Sequence, residues 1–235
     1  MSVLAVTGTG TDVGKTIATA AIAALCPDVV TVIKPAQTGV DLHHPGDVDV
    51  VRTLAPHVET MELVRYPDPL APAAAARRSG IPTLGVDEVA EGIEEADADL
   101  VLIEGAGGLL VRFSDDPVLT FADMIVELNV PTVLVAHAGL GTLNHTALSL
   151  EAMASRGIAC EGVIIGAWPL NFDLAMVENL HDLAALGVPL VGVLPAGIGR
   201  LPAKDFEAVA RRSLSPAFGG DFEADKFEER MKGLL

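Results

Sequence analysis

Apolar residues in this chain fall in short unbroken runs rather than in alternation with polar ones. Ser2–Thr7 (SVLAVT), Val29–Ile33 (VVTVI), Leu100–Glu104 (LVLIE), Thr132–Ala136 (TVLVA), Gly162–Ile165 (GVII) and Leu190–Leu194 (LVGVL) are nearly all apolar. A strand with one face in water alternates, whereas a strand covered on both faces does not, so these runs predict buried strands of a parallel sheet. Helix-length stretches lie between them: Ala-rich Lys15–Leu25, Val86–Ala96, Asn144–Arg156 ahead of Gly157, and Phe172–Ala185 ahead of Gly187. A glycine just past such a stretch is a natural helix stop. Strand–helix alternation with right-handed crossovers predicts an α/β fold: a doubly wound, mostly parallel sheet with helices on both faces.

Composition narrows the picture. A length of 235 residues suits one α/β domain spanning residues 1–235. Half the residues are hydrophobic but only 4% are aromatic, so small aliphatic side chains must fill the core. The 15 Lys and Arg against 32 Asp and Glu leave a formal net charge of −17. Such a surface repels phosphate backbones and anionic lipid, which excludes nucleic acid and membranes as partners. Any anionic ligand must be held by a local site that overcomes the global field. Cys26 and Cys160 show no CxxC spacing and read as small buried hydrophobes of a reduced, cytoplasmic protein. The start, MSVLAVTGTG, lacks the pattern of a signal peptide, and no apolar run is long enough to span a bilayer. Val40–Ala73, richer in Pro, His and Asp, reads as an active-site excursion, and Asp221–Lys232 as a solvated helix or a frayed end.

The strongest chemical signal is Gly8-Thr9-Gly10-Thr11-Asp12-Val13-Gly14-Lys15-Thr16, which follows a buried strand and opens an Ala-rich helix. Glycines let the backbone curl so that its N–H groups point inward, and the helix N-terminus adds partial positive charge. In that setting Lys15 reaches the β- and γ-phosphates of a nucleotide and the Thr16 hydroxyl binds Mg²⁺. Thr9 takes the place of the usual first glycine, and five residues rather than four separate Gly8 from Gly14.

Further groups converge on the same edge. Glu104 ends a buried strand and is followed by Gly105-Ala106-Gly107-Gly108, where the backbone can pass close to a ligand. A carboxylate there is positioned as a second metal ligand, with a capping or ion-paired carboxylate as the plain alternative. Asp47 and Asp49 stand in the loop after the second strand, as further ligands or as caps of the next helix. Lys34, in Lys34-Pro35-Ala36-Gln37-Thr38-Gly39, follows that strand and is placed to neutralise a transferring phosphoryl or carboxyl group.

Together with Ala71-Pro72 and Leu140-Gly141-Thr142-Leu143-Asn144-His145, these motifs resemble the dethiobiotin synthetase family over most of the chain. The longer cradle spacing and the glutamate in place of an aspartate are that family's own form. The resemblance implies an enzyme using ATP as co-substrate and Mg²⁺ as cofactor, with 7,8-diaminopelargonate and CO₂ as the other substrates. A carbamate of the diamine attacks the γ-phosphorus, and the second amine closes the ureido ring, giving dethiobiotin, ADP and phosphate. Lys15, Lys34 and Thr11 are then the catalytic residues, and Thr16, Asp49 and Glu104 the metal ligands, Asp49 being preferred to Asp47 by register. The nucleotide falls to Asp12, Val13, Gly14, Lys15, Thr16, Ile17 and Glu104, with Gly166, Trp168, Pro169, Leu194, Pro195 and Ala196 on the side of the base. The diamine or its carbamate falls to Thr11, Lys15, Lys34, Thr38, Glu104 and Gly107. Gly141, Thr142, Leu143 and Asn144 hold the substrate carboxylate from the other subunit of a homodimer, while His145 reads as a surface histidine.

The family often reads adenine with an asparagine where this chain has Gly166-Ala167-Trp168-Pro169, so here the base falls to backbone groups and to Trp168 or Pro169, unless Trp168 is a packing residue. Rival readings lack support in the sequence. A partition or positioning ATPase shares such a cradle but carries a signature lysine where this chain has Gly10, and a glutaminase-bearing relative needs a further domain. No GxGxxG marks a dinucleotide binder.

Overall fold

A computed structural model describes residues 1–235. β1 (Ser2–Gly8) leads into α1 (Lys15–Leu25), followed by β2 (Val30–Thr38), α2 (Asp47–Leu54), β3 (Glu59–Tyr66), α3 (Pro72–Ser79), α4 (Val86–Glu95) and β4 (Leu100–Glu104). A hairpin of β5 (Arg112–Asp115) and β6 (Val118–Thr120) precedes α5 (Phe121–Leu128). Then come β7 (Thr132–Ala136), α6 (Thr142–Ala154), β8 (Cys160–Trp168), α7 (Leu174–Ala184), β9 (Leu190–Pro195), α8 (Ala203–Ser213) and α9 (Ala224–Lys232).

Seven strands form one sheet in the order β3-β2-β4-β1-β7-β8-β9, and every pairing in it is parallel. β1 lies in the middle, with β4 on one side and β7 on the other. The chain therefore winds outward in both directions from β1, and the crevice outside its carboxyl end is where such sheets bind ligands. The expected doubly wound architecture is present.

Each face of the sheet carries its own core. On one, α1 lies close because its inward residues Ala18, Ala20, Ala21 and Ala23 are small and fully buried; Val32, Leu102 and Val133 meet them from the strands. On the other, Phe113, Phe121, Met124 and Leu134 pack with residues of α3, α4, α5 and α6. A third cluster at the β8–β9 edge joins Trp168, Val177 and Leu180 to Phe222 and Met231 from the end of the chain. Local signals fix the helix starts: the Thr120 hydroxyl accepts from the Asp123 N–H at 3.2 Å while the Asp123 carboxylate accepts from the Thr120 N–H at 2.8 Å.

Three sequence expectations need correction. Val40–Ala73 is not an excursion from the fold, since it holds α2 and edge strand β3. β3 (ETMELVRY) is half-exposed along most of its length, so it carries charge and lacks the all-apolar run of the central strands. Pairing with β3 also carries β2 on to Thr38, so Lys34 stands within the strand, opposite Glu62, rather than after it. Finally, the Asp221–Lys232 segment does hold a largely exposed helix, α9, but it is not frayed: it lays Met231 and Phe227 against the third cluster. No helix is long and apolar enough to cross a membrane.

Candidate active site

The turn from β1 into α1 is tied down before any ligand arrives. The Thr9 N–H donates to the Val135 carbonyl of β7 at 2.9 Å. Asp12 (φ 59°) and Gly14 (φ 100°) both take left-handed backbone. At Gly14 a side chain is excluded twice over, because a Cβ would also fall 2.6 Å from the Gly166 carbonyl oxygen. Gly166 is tighter still: its own Cβ would meet the Val13 carbonyl oxygen at 2.1 Å. β8 thus buttresses the cradle through a backbone-to-backbone contact that only glycine allows. Lys15 folds back over the loop, and its Nζ donates to the Gly10 carbonyl at 2.9 Å.

An ionic cluster lies beside the cradle. Glu104 at the end of β4 is 1% exposed, and its Oε1 accepts from two donors: the Thr16 hydroxyl at 2.8 Å and the Lys34 ammonium at 2.9 Å. Lys34 also donates to the Gly105 carbonyl at 3.2 Å and lies 2.6 Å from Asp47 Oδ2. Burial alone would lower the Lys34 pKa, but Glu104 and Asp47 outweigh it, and the net shift is upward. Burial would raise Asp47, and the charge of Lys34 beside it brings it below its ordinary value instead. Lys15 shifts down, chiefly because it is buried and then because Lys34 is close. A desolvated cation that has no carboxylate in contact is ready to gain from an incoming anion.

A cavity of about 380 Å³ opens over these groups. Of the expected site residues, Thr11, Asp12, Gly14, Lys15, Thr16, Ile17, Lys34, Thr38, Glu104 and Gly107 line it, and Gln37 and Asp47 complete its floor.

Of the two aspartates weighed from the sequence, it is Asp47 and not the preferred Asp49 that lines the cavity. The Asp49 carboxylate accepts from the Gly46 N–H at 2.8 Å and lies 3.2 Å from Arg52, so it serves the first turn of α2, and it does not line the cavity. Asp47 is the carboxylate in the cleft. The sequence held the signal: an acidic residue three positions after the helix-capping position reaches back to that residue's N–H. Gln37 was missed as a site residue; its Oε1 accepts from the Asp47 N–H at 2.8 Å.

Residues expected around the base lie outside this cavity. Trp168 is 7% exposed and packs against Phe172 and Phe227, with ring centroids at 5.7 and 5.3 Å, and Leu194 is fully buried in the core. Their side chains are committed to packing, which leaves only their backbone for a nucleotide; Pro195 and Ala196 are exposed and Pro169 half-buried. Gly141–Asn144 also lie away from the cavity. Gly141, at φ 90°, is the capping residue of α6, and Asn144 in its first turn is exposed, whereas Thr142 is buried. His145 is exposed and stands edge-on to His137, 6.1 Å between centroids.

The donors present fit Mg²⁺. Thr16, Glu104 and Asp47 line the same cavity and offer a hydroxyl and two carboxylates, all oxygen, and Mg²⁺ takes few protein ligands beside phosphate and water.

Known proteins bear on this geometry at two levels. Among solved structures, the septum site-determining protein MinD of Pyrococcus horikoshii, complexed with Mg-ADP, superposes with a TM-score of 0.56 over 99% of this chain and 96% of that one, at 16% identity. The cell-division ATPase MinD of Pyrococcus furiosus gives 0.54 over 100% and 99%, at 17% identity. At such identities the likeness is one of fold. A family model described as an AAA domain matches residues 2–198. Sequence relatives are far nearer. The ATP-dependent dethiobiotin synthetase of Frankia casuarinae is 56% identical over 98% of this chain and 99% of its own length. That of Saccharopolyspora erythraea is 55% identical over 94% and 98%. With the cradle, the buried lysine and the strand-end glutamate in place, likeness on this scale and over this length makes the chain a member of the ATP-dependent dethiobiotin synthetase family.

Proposed function

We propose that this cleft performs the family reaction, closing a ureido ring on 7,8-diaminopelargonate with CO₂ at the expense of ATP, and that its own residues divide the work as follows. One amine of the diamine adds to CO₂ and loses a proton, leaving a carbamate. A carbamate oxygen attacks the γ-phosphorus, ADP departs, and a carbamic-phosphoric anhydride remains. The second amine attacks the anhydride carbon, loses a proton and expels phosphate. No enzyme nucleophile is required, so catalysis rests on positioning and on charge.

Lys15 binds the phosphates and steadies the carbamate from the cradle side. Lys34 does so from β2, held in place by Glu104 and Asp47. Thr11 and Thr38, both lining the cavity, position the diamine or its carbamate. Thr16, Glu104 and Asp47 hold Mg²⁺, which supplies charge neutralisation on the transferring phosphoryl group. Asp12 faces the nucleotide sugar, and the base is met by backbone between Gly166 and Pro169 and between Leu194 and Ala196. The observation that carries this reading is Glu104 Oε1, which receives the Thr16 hydroxyl and the Lys34 ammonium at once and so joins the nucleotide half of the cleft to the carbamate half.

The same reading makes the enzyme a cytoplasmic homodimer in which Gly141–Asn144 of each subunit complete the other's site. Exposure of Leu140 (80%) and Leu148 (58%) beside the start of α6 supports a subunit contact there. Mixing inactive Lys15→Ala and Asn144→Ala chains should then restore activity; no recovery despite proven subunit exchange would remove the shared site.

The deciding assay is phosphate release from Mg·ATP and bicarbonate, with and without the diamine, with the product read by mass. Release that requires the diamine and yields a ureido product is expected. Release without it would overturn the reading in favour of a nucleotide switch.

A further inference from the structure

Asp47 is presented to the cleft by the loop Asp41–Gly46, whose own hydrogen bonds are confined to the Asp41–His44 turn, and one side chain of β3 ties that turn to the sheet. Arg65 lies on edge strand β3, in register with Gln37 of β2. Its Nη1 donates to two loop carbonyls, those of Asp41 at 2.9 Å and His44 at 2.8 Å. Its other two nitrogens clasp Glu62, Nε to Oε1 at 2.6 Å and Nη2 to Oε2 at 2.8 Å, and Nη2 lies 4.0 Å from Asp49. The Arg65 side chain is only 14% exposed. Gly46 sits directly on this clasp: a Cβ there would fall 2.8 Å from Arg65 Nη2, 2.9 Å from Gln37 Oε1 and 3.0 Å from Glu62 Oε2. The next amide, that of Asp47, donates to the same Gln37 oxygen at 2.8 Å, and the Asp47 carboxylate then reaches Lys34.

We propose that Arg65, clasped by Glu62, is a positioning residue for the divalent-cation site: by binding the Asp41 and His44 carbonyls it seats Gly46 on Gln37 and so fixes Asp47 in the cleft. This rests on the reading of Asp47 as a cation ligand. The fork geometry of the guanidinium is essential, because Arg65 makes four hydrogen bonds, two of them in parallel to Glu62, and an ammonium has only three donors on a single nitrogen. Groups that orient a ligand without touching the metal usually govern affinity by 10–100-fold.

The test counts Mn²⁺ bound in the presence of saturating ADP by electron paramagnetic resonance, so it does not depend on turnover, with thermal unfolding of the free protein as a check on the fold. Arg65→Met should weaken Mn²⁺ binding about 10-fold. Arg65→Lys should fail to restore it, and Gly46→Ala, which displaces the clasp without removing it, should give the same loss and serves if Arg65→Met does not fold. Asp47→Asn should weaken binding at least as much, and adding Arg65→Met to it should cost nothing more. Additive losses, or wild-type Mn²⁺ affinity in Arg65→Met and Gly46→Ala while Asp47→Asn is impaired, would overturn the role of Arg65 alone. Unchanged Mn²⁺ affinity in Asp47→Asn would overturn the cation-ligand reading, and this proposal with it.

Discussion

The cradle has two flanks, and they are built in opposite ways. On the β2–β3 side, Lys34, Asp47, Gln37, Glu62 and Arg65 hold one another by ion pairs and hydrogen bonds. On the β8–β9 side, contact with the cradle is backbone on backbone at Gly166, and the neighbouring Trp168 and Leu194 belong to the core. One flank handles charge with side chains that are expensive to bury singly and must satisfy each other. The other provides shape. Substitutions should therefore fail differently on the two sides, by lost charge balance on the first and by collision on the second.

The largest effect is expected at the point where the flanks meet. Lys15→Ala should lower diamine-dependent phosphate release by about 10³-fold, the scale for removing a preorganised electrostatic group, and leave thermal unfolding little changed. Near-normal turnover would sink the cradle assignment.

Next comes Lys34→Met on the charged flank, which strands the buried Glu104 carboxylate and should cost about 3 kcal/mol of stability in denaturant unfolding. Adding Glu104→Gln should recover part of that loss. A pH signature accompanies it. Burial would raise the Asp47 pKa, but Lys34 brings it below its ordinary 3.8. The unfolded chain therefore takes up this proton first on acidification. The pair's stabilisation is present above pH 3.8 and is lost as the pH falls towards the folded value. Wild-type stability should fall through that window more steeply than that of Lys34→Met; parallel curves would refute the pairing.

On the packed flank, Gly166→Ala should cost about 1–3 kcal/mol through overpacking against the Val13 carbonyl, with a matching loss of ADP affinity by calorimetry. Unchanged affinity would show that the cradle can shift away from β8. A smaller effect belongs to Gln37→Ala, which removes the acceptor for the Asp47 N–H and a donor to the Thr38 carbonyl and should cost about 1 kcal/mol.

What the sequence disclosed follows the same division. Central strands such as β4 and β7 are apolar throughout because helices cover both faces, so their runs were legible. β3, half-exposed at the edge, alternates Glu, Met, Leu and Arg and gave no such run. Lys15 and Thr16 were visible through the Gly-rich turn that opens α1, and Lys34 and Glu104 because charged residues within or at the end of a buried strand have few structural reasons to be there. Asp47 and Asp49 were harder: residues two apart at a helix start point in different directions, and only the bond from the Gly46 N–H to Asp49 tells them apart. The packing role of Trp168 depends on Phe227, far away in sequence, and no local pattern announces that contact.

That last contact has a practical consequence. Trp168 is the only tryptophan in the chain. Its ring is shielded by Phe172 and Phe227, and its carbonyl accepts from the Ala196 N–H at 2.7 Å, in the turn expected to meet the base. The protein thus carries one built-in fluorophore that reports on two events, release of the terminal helix as a red shift in emission and arrival of a nucleotide at the adjacent turn as a change in intensity. Ligand titrations and unfolding curves can be followed on the unlabelled wild-type chain.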